Sequence, residues 1–308
     1  MKVIIAGGSG LIGRALTDSL TKDGHEVIIL SRAPEKVKDL PHNASAVKWD
    51  ARTPEGWVDL VEGAEAIVNF AGASLKGEGF IPGRWTRKRK ELIRLSRINI
   101  GQAVSEAIGA AKRKPKVLLQ ASAVGYYGPR RSESIAESEP PGSDFLAQLC
   151  VEWEKSTAEV EGMGVRRVIL RTGLPLTTKG GAFPLLVLPF HLFTGNWFGS
   201  GQQYYPWIHI DDHITALRFL IDNPKAKGAF NLSSPNPVTN REFARTLGKV
   251  MRRPVFLPIP RFALNLALGE VSTVVMDGQR MVPEKLLQSG FKFRFPELEP
   301  ALRNLLTK

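Results

Sequence analysis

The chain has 308 residues, enough for one large domain or two modest ones with a sizeable hydrophobic core. Hydrophobic residues make up 43% and charged residues 23%, which excludes a disordered, collagen-like or coiled-coil protein, and the single cysteine, Cys150, excludes an intramolecular disulfide and a cysteine-rich metal site. The 42 Lys and Arg residues against 30 Asp and Glu give a net charge of +12, which favours anionic partners: nucleic acid, a membrane surface or phosphorylated small molecules.

The start of the chain and its longest apolar stretch bear on location. Met1-Lys2 leads directly into the apolar run Val3-Ile4-Ile5-Ala6, without the charged leader, apolar core and cleavage site of a signal peptide. The longest apolar stretch, 182–199, is interrupted by Pro184 and Pro189 and is too short to span a bilayer. Together with the lone cysteine, these features predict a soluble cytoplasmic protein with no membrane partner.

Strand-like apolar runs alternate with helical patterns as far as Arg171. The predicted strands are 2–6, 25–30, 46–49, 66–70, 116–121 and 165–170, and the predicted helices are 11–23, 87–111 and 145–161. Alternation of this kind predicts an α/β fold, a Rossmann-type doubly wound parallel sheet with helices on both faces. We expect residues 1–171 to form this domain.

The pattern loosens after Arg171. Residues 172–204 combine glycine, proline and aromatic residues with little periodicity. We expect residues 205–232 to return to the first domain, and residues 172–204 and 233–308 to form a small C-terminal α+β lobe on the substrate side. The elements predicted here are strands at 207–210, 229–232, 255–258 and 291–293, a helix capped by Asp211 or Asp212 and running to Asp222, and helices at 240–251, 261–273 and 297–306.

The glycines and aromatic residues of 171–201 allow two interpretations. Glycine hinges with apolar bulk favour a lid over the site, whereas the same composition also suits a surface loop packed against the C-terminal lobe. The aromatic residues would equally suit the contact surface of a homodimer or another partner.

A glycine-rich turn between the first strand and the first helix is the strongest local signal. Its sequence is Gly7-Gly8-Ser9-Gly10-Leu11-Ile12-Gly13. Glycine permits the tight turn and lets backbone N–H groups approach a pyrophosphate, while the helix N-terminus supplies a partial positive charge. The turn therefore predicts a dinucleotide site formed by Gly7, Ser9, Gly10, Leu11, Ile12 and Gly13; the alternative is a plain tight turn.

The end of the second strand bears on which dinucleotide is bound. An enzyme that uses NAD usually places an acid there, which accepts hydrogen bonds from the ribose 2′-hydroxyl. This strand ends in Leu30-Ser31-Arg32, without an acid. Arg32 would pair with a 2′-phosphate and Ser31 would add a hydroxyl donor, which predicts NADP(H) as the cofactor. The alternative is that Arg32 is an exposed loop arginine.

Several motifs resemble one family. The glycine turn, the segment Asn69-Phe70-Ala71-Gly72-Ala73 and the segment Ser122-Ala123-Val124-Gly125-Tyr126-Tyr127-Gly128 look like those of extended short-chain dehydrogenases/reductases, in the NAD-dependent epimerase/dehydratase superfamily. Further segments resemble its atypical sugar-nucleotide-epimerase-like group, some members of which are labelled cell-division inhibitors. These segments are Arg84-Trp85, Ser96-Arg97, Trp153-Glu154, the stretch 205–212 and Gly278-Gln279-Arg280.

The resemblance implies a Rossmann-type domain, a small C-terminal lobe and NADP(H) binding. It places Asp50 near the adenine and lets Arg97 reach the cofactor from the long helix. Ser122 lies where the superfamily carries its active-site Ser or Thr. The residues implied to line the cofactor after the fourth strand are Phe70, Ala71 and Gly72.

The chain departs from the superfamily at the Tyr-x-x-x-Lys pair. In the superfamily the Tyr moves a proton while hydride moves to or from the nicotinamide, and the Lys lowers the pKa of that Tyr. Here Phe145 or Leu146 would hold the Tyr position, and Leu149 or Cys150 the Lys position. None of these side chains suits that proton transfer.

Three other residues are therefore candidate catalytic groups: Ser122, Tyr127 and His209. Tyr127, or its neighbour Tyr126, would point into the cleft after Ser122, and His209 would titrate near neutrality with Asp211 or Asp212 orienting it. The alternatives are that the tyrosines pack at a strand end, that His209 is a hydrogen-bonded structural residue and that the aspartates cap a helix.

The basic residues of 84–97 and 112–116 carry much of the positive charge. No helix-turn-helix, zinc-finger or RNA-binding aromatic signature accompanies them, so a solvated helix face is favoured over nucleic-acid binding. The five histidines lack ligand spacing, so no metal site is predicted.

The sequence predicts an NADP(H)-dependent oxidoreductase or epimerase-like enzyme that acts on an unknown small molecule. The alternative, kept open by the missing Tyr and Lys, is a catalytically silent NADPH-binding regulatory protein that acts through a partner, with division as one setting.

Overall fold

The structure is a computed structural model that describes residues 1–77, 79, 83–130 and 132–307. The strands along the chain are β1 (Lys2–Ala6), β2 (Glu26–Ser31), β3 (Ala44–Lys48), β4 (Ala66–Asn69), β5 (Val117–Ala123), β6 (Ser134–Ile135), β7 (Arg166–Thr172), β8 (Leu174–Leu176), β9 (Gly195–Phe198), β10 (Tyr204–Tyr205), β11 (Trp207–His209), β12 (Gly228–Leu232), β13 (Val238–Thr239), β14 (Val255–Ile259) and β15 (Arg280–Met281). The helices are α1 (Leu11–Lys22), α2 (Arg87–Ala110), α3 (Phe145–Lys155), α4 (Phe183–His191), α5 (Ile210–Asp222), α6 (Asn240–Met251), α7 (Arg261–Leu268), α8 (Thr273–Met276), α9 (Glu284–Gln288) and α10 (Leu298–Leu306).

A seven-stranded parallel sheet organises the first domain. Its strand order is β12-β7-β5-β4-β1-β2-β3, and each neighbouring pair is parallel. The order changes direction between β1 and β4, and in open sheets of this kind ligands bind outside the carboxyl ends of the strands at that point. The predicted Rossmann-type fold is confirmed, and the crevice between β1 and β4 is where a nucleotide site is expected.

Both faces of the central strands are buried, which explains their nearly continuous apolar sequences. Val3 and Ile5 of β1 pack on one face with α1 and α5, whereas Ile4 and Ala6 pack on the other face with α2. Because successive strand residues point to opposite faces, this single strand contributes to two hydrophobic cores.

Outside the large sheet the remaining strands form short pairs, and the chain after β7 has an apolar cluster of its own. The pairs are β8 with β11, β9 with β14, β10 with β13 and β6 with β15. Large buried side chains of the cluster are Phe183, Phe190, Trp207, Phe243 and Leu247. None of these paired strands exceeds five residues, so the strand periodicity of this part of the sequence is weak.

Several expectations for this lobe differ from the structure. Residues 183–191 form α4, although Pro184 in its first turn and Pro189 inside it obscure the helical pattern. The helix expected at 261–273 ends at Leu268, since Gly269 takes φ +60. The strand expected at 291–293 is irregular, and its aromatic rings pack edge-on against each other and Phe219. In the part of the chain that the structure describes, none of the helices has the length and apolar character needed to cross a membrane.

Candidate functional site

The glycine turn after β1 lies directly against the segment that follows β4. Gly7 has φ +79, and a Cβ atom there would lie 2.9 Å from the backbone nitrogen of Ala71. A Cβ on Gly13 would lie 2.6 Å from the carbonyl oxygen of Gly7. These approaches need glycine, because real Cβ atoms do not come so close to backbone, and they keep the floor of the crevice free of side chains.

The N-terminus of α1 opens towards the same crevice. Gly10 is its N-cap and contributes no side-chain hydrogen bond, and the first turn carries no acid. Ser9 and Gly10 are exposed, while Leu11 and Ile12 are half-buried. The helix therefore offers its first N–H groups and the positive end of its dipole to an external anion.

The end of β2 carries a cation and no carboxylate. Ser31 is half-buried, and its Oγ accepts a hydrogen bond from the Ala33 N–H at 3.2 Å, whereas Arg32 is exposed. Asp50, which follows β3, is exposed and accepts the backbone N–H groups of Arg52 and Thr53. Burial alone would raise the pKa of Asp50, but these hydrogen bonds hold it below its ordinary value.

Arg97, on α2, is a buried guanidinium beside the segment that follows β4. Its Nη1 donates to the carbonyl oxygens of Ile93 at 2.9 Å and Ala73 at 3.1 Å, and its Cζ lies 4.9 Å from the centroid of the Trp153 ring. A Cβ on Gly72 would lie 3.1 Å from its Cγ. Burial lowers the pKa of Arg97 to about 10, and within the described residues no carboxylate contributes to that pKa.

A cavity of about 190 Å³ opens beside Arg97 at the carboxyl ends of β5 and β7. It is lined by Ala123 to Gly125 at the end of β5, by residues of α3, and by Thr172 and Gly173 at the end of β7. The C-terminal lobe contributes Thr273, Val274, Asp277 and Gln279 to the lining. The cavity thus lies where the sheet meets the C-terminal lobe.

The cavity lining bears on the α3 residues that were expected at the positions of the missing Tyr and Lys. Leu146 and Cys150, one helical turn apart on α3, both face the end of β5: a Cβ on Gly125 would lie 3.1 Å from the Leu146 Cβ and 3.9 Å from the Cys150 Sγ. Leu149 lines the cavity as well, whereas Phe145 packs edge-on against Trp85. Burial raises the pKa of Cys150 to about 12, so its thiol is protonated at neutral pH.

Ser122 is bound into a buried ionic network behind the cavity. Its Oγ donates to Glu154 Oε1 at 2.6 Å, and Glu154 forms two hydrogen bonds with Arg171, at 3.0 and 3.1 Å. Burial on its own would lower the pKa of Arg171, but the hydrogen bonds and charge of Glu154 raise it above its ordinary value. The carboxylate of Glu154 is therefore shared between Ser122 and Arg171.

Tyr127 belongs to the same network and is fully buried. Its hydroxyl donates to Asn231 Oδ1 at 2.6 Å and accepts from Arg171 Nη1 at 3.1 Å. Burial raises the pKa of Tyr127 to about 12, against the opposing effect of Arg171. The Cζ of Arg171 also lies 3.4 Å from the centroid of the Tyr126 ring.

His209 lies apart from this network, at the N-terminus of α5. Its Nδ1 accepts the Asp211 N–H at 3.1 Å, so His209 itself is the N-cap, and its ring stacks on Phe295 at 4.1 Å. Asp212 instead accepts the backbone N–H groups of residues 294 and 295. Burial lowers the pKa of His209 despite the nearby carboxylates.

The structure therefore brings part of the cofactor candidates together, and the catalytic candidates also only in part. The glycine turn, the segment after β4 and Arg97 share one crevice. Arg171 joins Ser122 to Tyr127, but His209 is remote from both. None of these three is among the described residues that line the cavity.

Two carboxyl groups in the cavity wall were not among the candidate residues: Asp144 and Asp277. Asp144 Oδ1 accepts the Ala147 N–H at 2.8 Å and caps α3. Asp277 immediately precedes Gly278-Gln279-Arg280, one of the segments that carry the family resemblance. Proximity to that segment was the available signal, but sequence spacing alone does not bring it next to α3.

Much of the basic segment at the start of α2 contacts other parts of the chain. Lys90 pairs with Glu270 at 2.5 Å, Arg84 donates to a carbonyl oxygen of α7, and Arg89 donates to the carbonyl oxygen of Ser74. These cations fasten the α7–α8 region and the segment after β4 to α2. These contacts give a structural role to part of the positive charge of segment 84–97.

The crevice fits a dinucleotide phosphate on this geometry. Its floor is free of side chains, a helix N-terminus opens onto it, and Arg97 provides a buried cation without a carboxylate partner. The adenosine half would lie towards β2 and β3, so the other half would extend across β4 towards β5 and the cavity.

Comparisons with known proteins agree with this architecture. Residues 3–233 match the NAD dependent epimerase/dehydratase family, and residues 259–305 match a domain of unknown function, DUF1731. The chain is 39% identical over 309 residues to Epimerase family protein YfhF of Bacillus subtilis (strain 168), covering 99% of this chain and 98% of that protein. It is 37% identical over 314 residues to Epimerase family protein SDR39U1 homolog, chloroplastic, of Arabidopsis thaliana, covering 99% and 87%.

A solved structure extends the comparison to three dimensions. The crystal structure of human epimerase family protein SDR39U1 (isoform 2) with NADPH matches with a TM-score of 0.86 and 31% sequence identity, covering 99% of both chains. The resemblance to extended short-chain dehydrogenases/reductases is confirmed, while the label of cell-division inhibitor stays a prediction. On the family match and these relatives together, the chain belongs to the NAD dependent epimerase/dehydratase family.

Proposed function

We propose that this protein binds NADP(H) in the crevice between β1 and β4 and transfers a hydride between that cofactor and a small molecule held in the cavity. The observation that carries the proposal is Arg97, a buried cation that lacks a carboxylate partner in the described structure and lies between the glycine-turn crevice and the cavity. A buried charge of this kind is costly unless an anion pairs with it. The NADPH in the human relative supports the same assignment.

The preference for NADP(H) over NAD(H) rests on the end of β2. Arg32 is exposed there, and the strand end carries no acid that would accept the 2′-hydroxyl of NAD. A 2′-phosphate would pair with the guanidinium, with Ser31 as a second donor. When bound, the nicotinamide supplies or accepts the hydride, while this chain binds and orients the cofactor and the substrate.

Fluorescence titration with NADPH and NADH tests the cofactor assignment. We expect wild-type protein to bind NADPH about 10- to 100-fold more tightly, the value of a charge-assisted phosphate contact. Arg32→Gln should bring the two affinities close together. Arg113→Gln removes the same charge at the opposite end of the sheet, where Arg113 pairs with Glu62, and should leave the ratio unchanged. Equal affinity of the wild type for both dinucleotides would contradict the assignment.

Turnover separates the enzyme from its alternative. The NADPH-loaded protein is mixed with a panel of small aldehydes, ketones and sugar nucleotides, and the absorbance of the reduced nicotinamide is followed. Oxidation of NADPH by a panel member supports hydride transfer. Tight NADPH binding without turnover favours instead the catalytically silent regulatory protein. The cavity residues Leu146 and Cys150 are compatible with this alternative, because they do not replace the missing Tyr and Lys in proton transfer.

A further inference from the structure

Part of the cavity lining comes from the C-terminal lobe. Thr273, Val274, Asp277 and Gln279 belong to the segment 259–305, which matches a domain of unknown function. Gln279 is held by a hydrogen bond from its Nε2 to the Gly128 carbonyl oxygen at 2.9 Å. The segment therefore contributes side chains to the same cavity that β5, β7 and α3 enclose.

Among the described residues that line this cavity, the titratable side chains are Arg97, Asp144, Cys150 and Asp277. Arg97 and Cys150 keep their protons at neutral pH, because their pKa values lie near 10 and 12. Asp144 is engaged as the N-cap of α3. Asp277 is the remaining group that can both hold and release a proton.

The surroundings of Asp277 suit proton exchange. Burial raises its pKa above the ordinary value, the charge of Asp144 acts in the same direction, and Arg261 opposes both. The Arg261 Nη2 lies 3.2 Å from Asp277 Oδ1, but its side chain is 61% exposed, so solvent weakens that pair. The Asp277 side chain is itself 18% exposed, which leaves it a route to water.

We propose that Asp277 is the general acid and base of the hydride reaction and takes the role of the missing Tyr. The inference rests on the function proposed above. In the reductive direction, a hydride passes from NADPH to the carbonyl carbon of the substrate, the electron pair of the C=O bond moves to oxygen, and the Asp277 carboxyl gives its proton to that oxygen. The products are an alcohol, NADP⁺ and the Asp277 carboxylate, which regains a proton from water.

The charge of Asp277 should also affect cofactor binding when no substrate is present. The oxidised nicotinamide ring carries a positive charge and the reduced ring does not, so a carboxylate beside the ring favours NADP⁺ over NADPH. As pH rises and Asp277 loses its proton, NADP⁺ should gain affinity relative to NADPH. The phosphates of the two cofactors are the same, so their titration cancels in the ratio of the two dissociation constants.

The experiment measures both dissociation constants by calorimetry between pH 4.5 and 8. In wild-type protein we expect the ratio Kd(NADP⁺)/Kd(NADPH) to fall about tenfold with rising pH, which corresponds to a shift of one pKa unit by linkage. Asp277→Asn keeps the shape of the side chain and should abolish this fall.

Two further variants move the transition in opposite directions. Asp144→Asn removes a negative charge that raises the Asp277 pKa, and Asn remains a good N-cap, so the midpoint should move to lower pH. Arg261→Gln removes a positive charge that lowers the Asp277 pKa, so the midpoint should move to higher pH. Thermal unfolding of each variant confirms that it folds.

The outcomes separate the two proposals. If the ratio still falls with pH in Asp277→Asn as it does in the wild type, the role of Asp277 is overturned. The same holds if the fall disappears in Asp144→Asn but not in Asp277→Asn. If wild-type protein binds both dinucleotides with a ratio independent of pH, the assignment of Asp277 fails while cofactor binding stands. If it binds neither dinucleotide, both proposals fail.

Discussion

Two buried arginines, Arg171 and Arg97, have opposite electrostatic surroundings. Arg171, on β7, is matched within the chain, because Glu154 meets it with two hydrogen bonds and raises its pKa. Arg97, on α2, meets two carbonyl oxygens and an aromatic ring, and burial lowers its pKa.

The difference indicates which region is built for stability and which for binding. A buried cation whose counter-charge is part of the fold connects elements to each other, as Arg171 connects β7 to α3 through Glu154. A buried cation without such a partner carries a desolvation cost that a ligand can relieve. Breaking each arginine's environment separately tests this division.

The largest expected effect comes from Glu154→Gln. This substitution leaves Arg171 buried and without its carboxylate, since both side chains are at most 10% exposed. Breaking a buried pair by removing one partner costs about 3–5 kcal/mol. We therefore expect the free energy of unfolding in urea to fall by that amount.

Glu152→Gln is the matched control for Glu154→Gln. Glu152 lies on the same helix and pairs with Arg94 at 2.7 Å, but both partners are 40% exposed. Exposed pairs contribute about 0–1 kcal/mol, so its unfolding midpoint should stay close to that of the wild type. Equal losses in the two variants would show that Glu154 and Arg171 are not the stabilising pair inferred here.

The next effect concerns binding. Arg97→Met replaces the guanidinium with an unbranched apolar side chain and so removes the charge. We therefore expect the Kd for NADPH to rise about 10- to 100-fold, the value of one charge-assisted contact. Without NADPH, unfolding should change by less than about 1 kcal/mol, because replacing an unpaired buried charge also removes its desolvation cost.

Arg94→Met provides the control on the same helix. Arg94 forms an exposed pair with Glu152 and does not line the cavity as the structure describes it, so the Kd for NADPH should remain within a factor of two. If Arg97→Met bound NADPH as tightly as the wild type, the inference that Arg97 binds the cofactor would be contradicted.

Local sequence patterns identify one arginine environment better than the other. The alternation of strands and helices, the glycine turn and Arg97 all follow from short-range patterns or from family motifs, and the structure places them at one crevice. The pair of Glu154 and Arg171 joins two elements, and no spacing rule predicts which acid of α3 meets which base of β7.

The C-terminal lobe shows the same limit. Pro184 and Pro189 obscure α4 because they interrupt its periodicity, yet Phe183 and Phe190 bury their rings in the lobe and hold the helix. Asp277 reaches the cavity only through the packing of the lobe on α3. Long-range packing, which a single sequence does not display, therefore determines the part of the site that departs from the superfamily.

The smallest expected effect is that of Tyr127→Phe, which separates the ionic network from catalysis. The substitution deprives Asn231 of a donor and Arg171 of an acceptor, so we expect a loss of about 1–2 kcal/mol in unfolding free energy. Because Tyr127 is fully buried and is not among the described residues that line the cavity, the Kd for NADPH and the turnover of any substrate found in the panel should match the wild type. A fall in turnover at unchanged stability would instead indicate that Tyr127 contacts the reacting atoms, and would count against Asp277 as the proton donor.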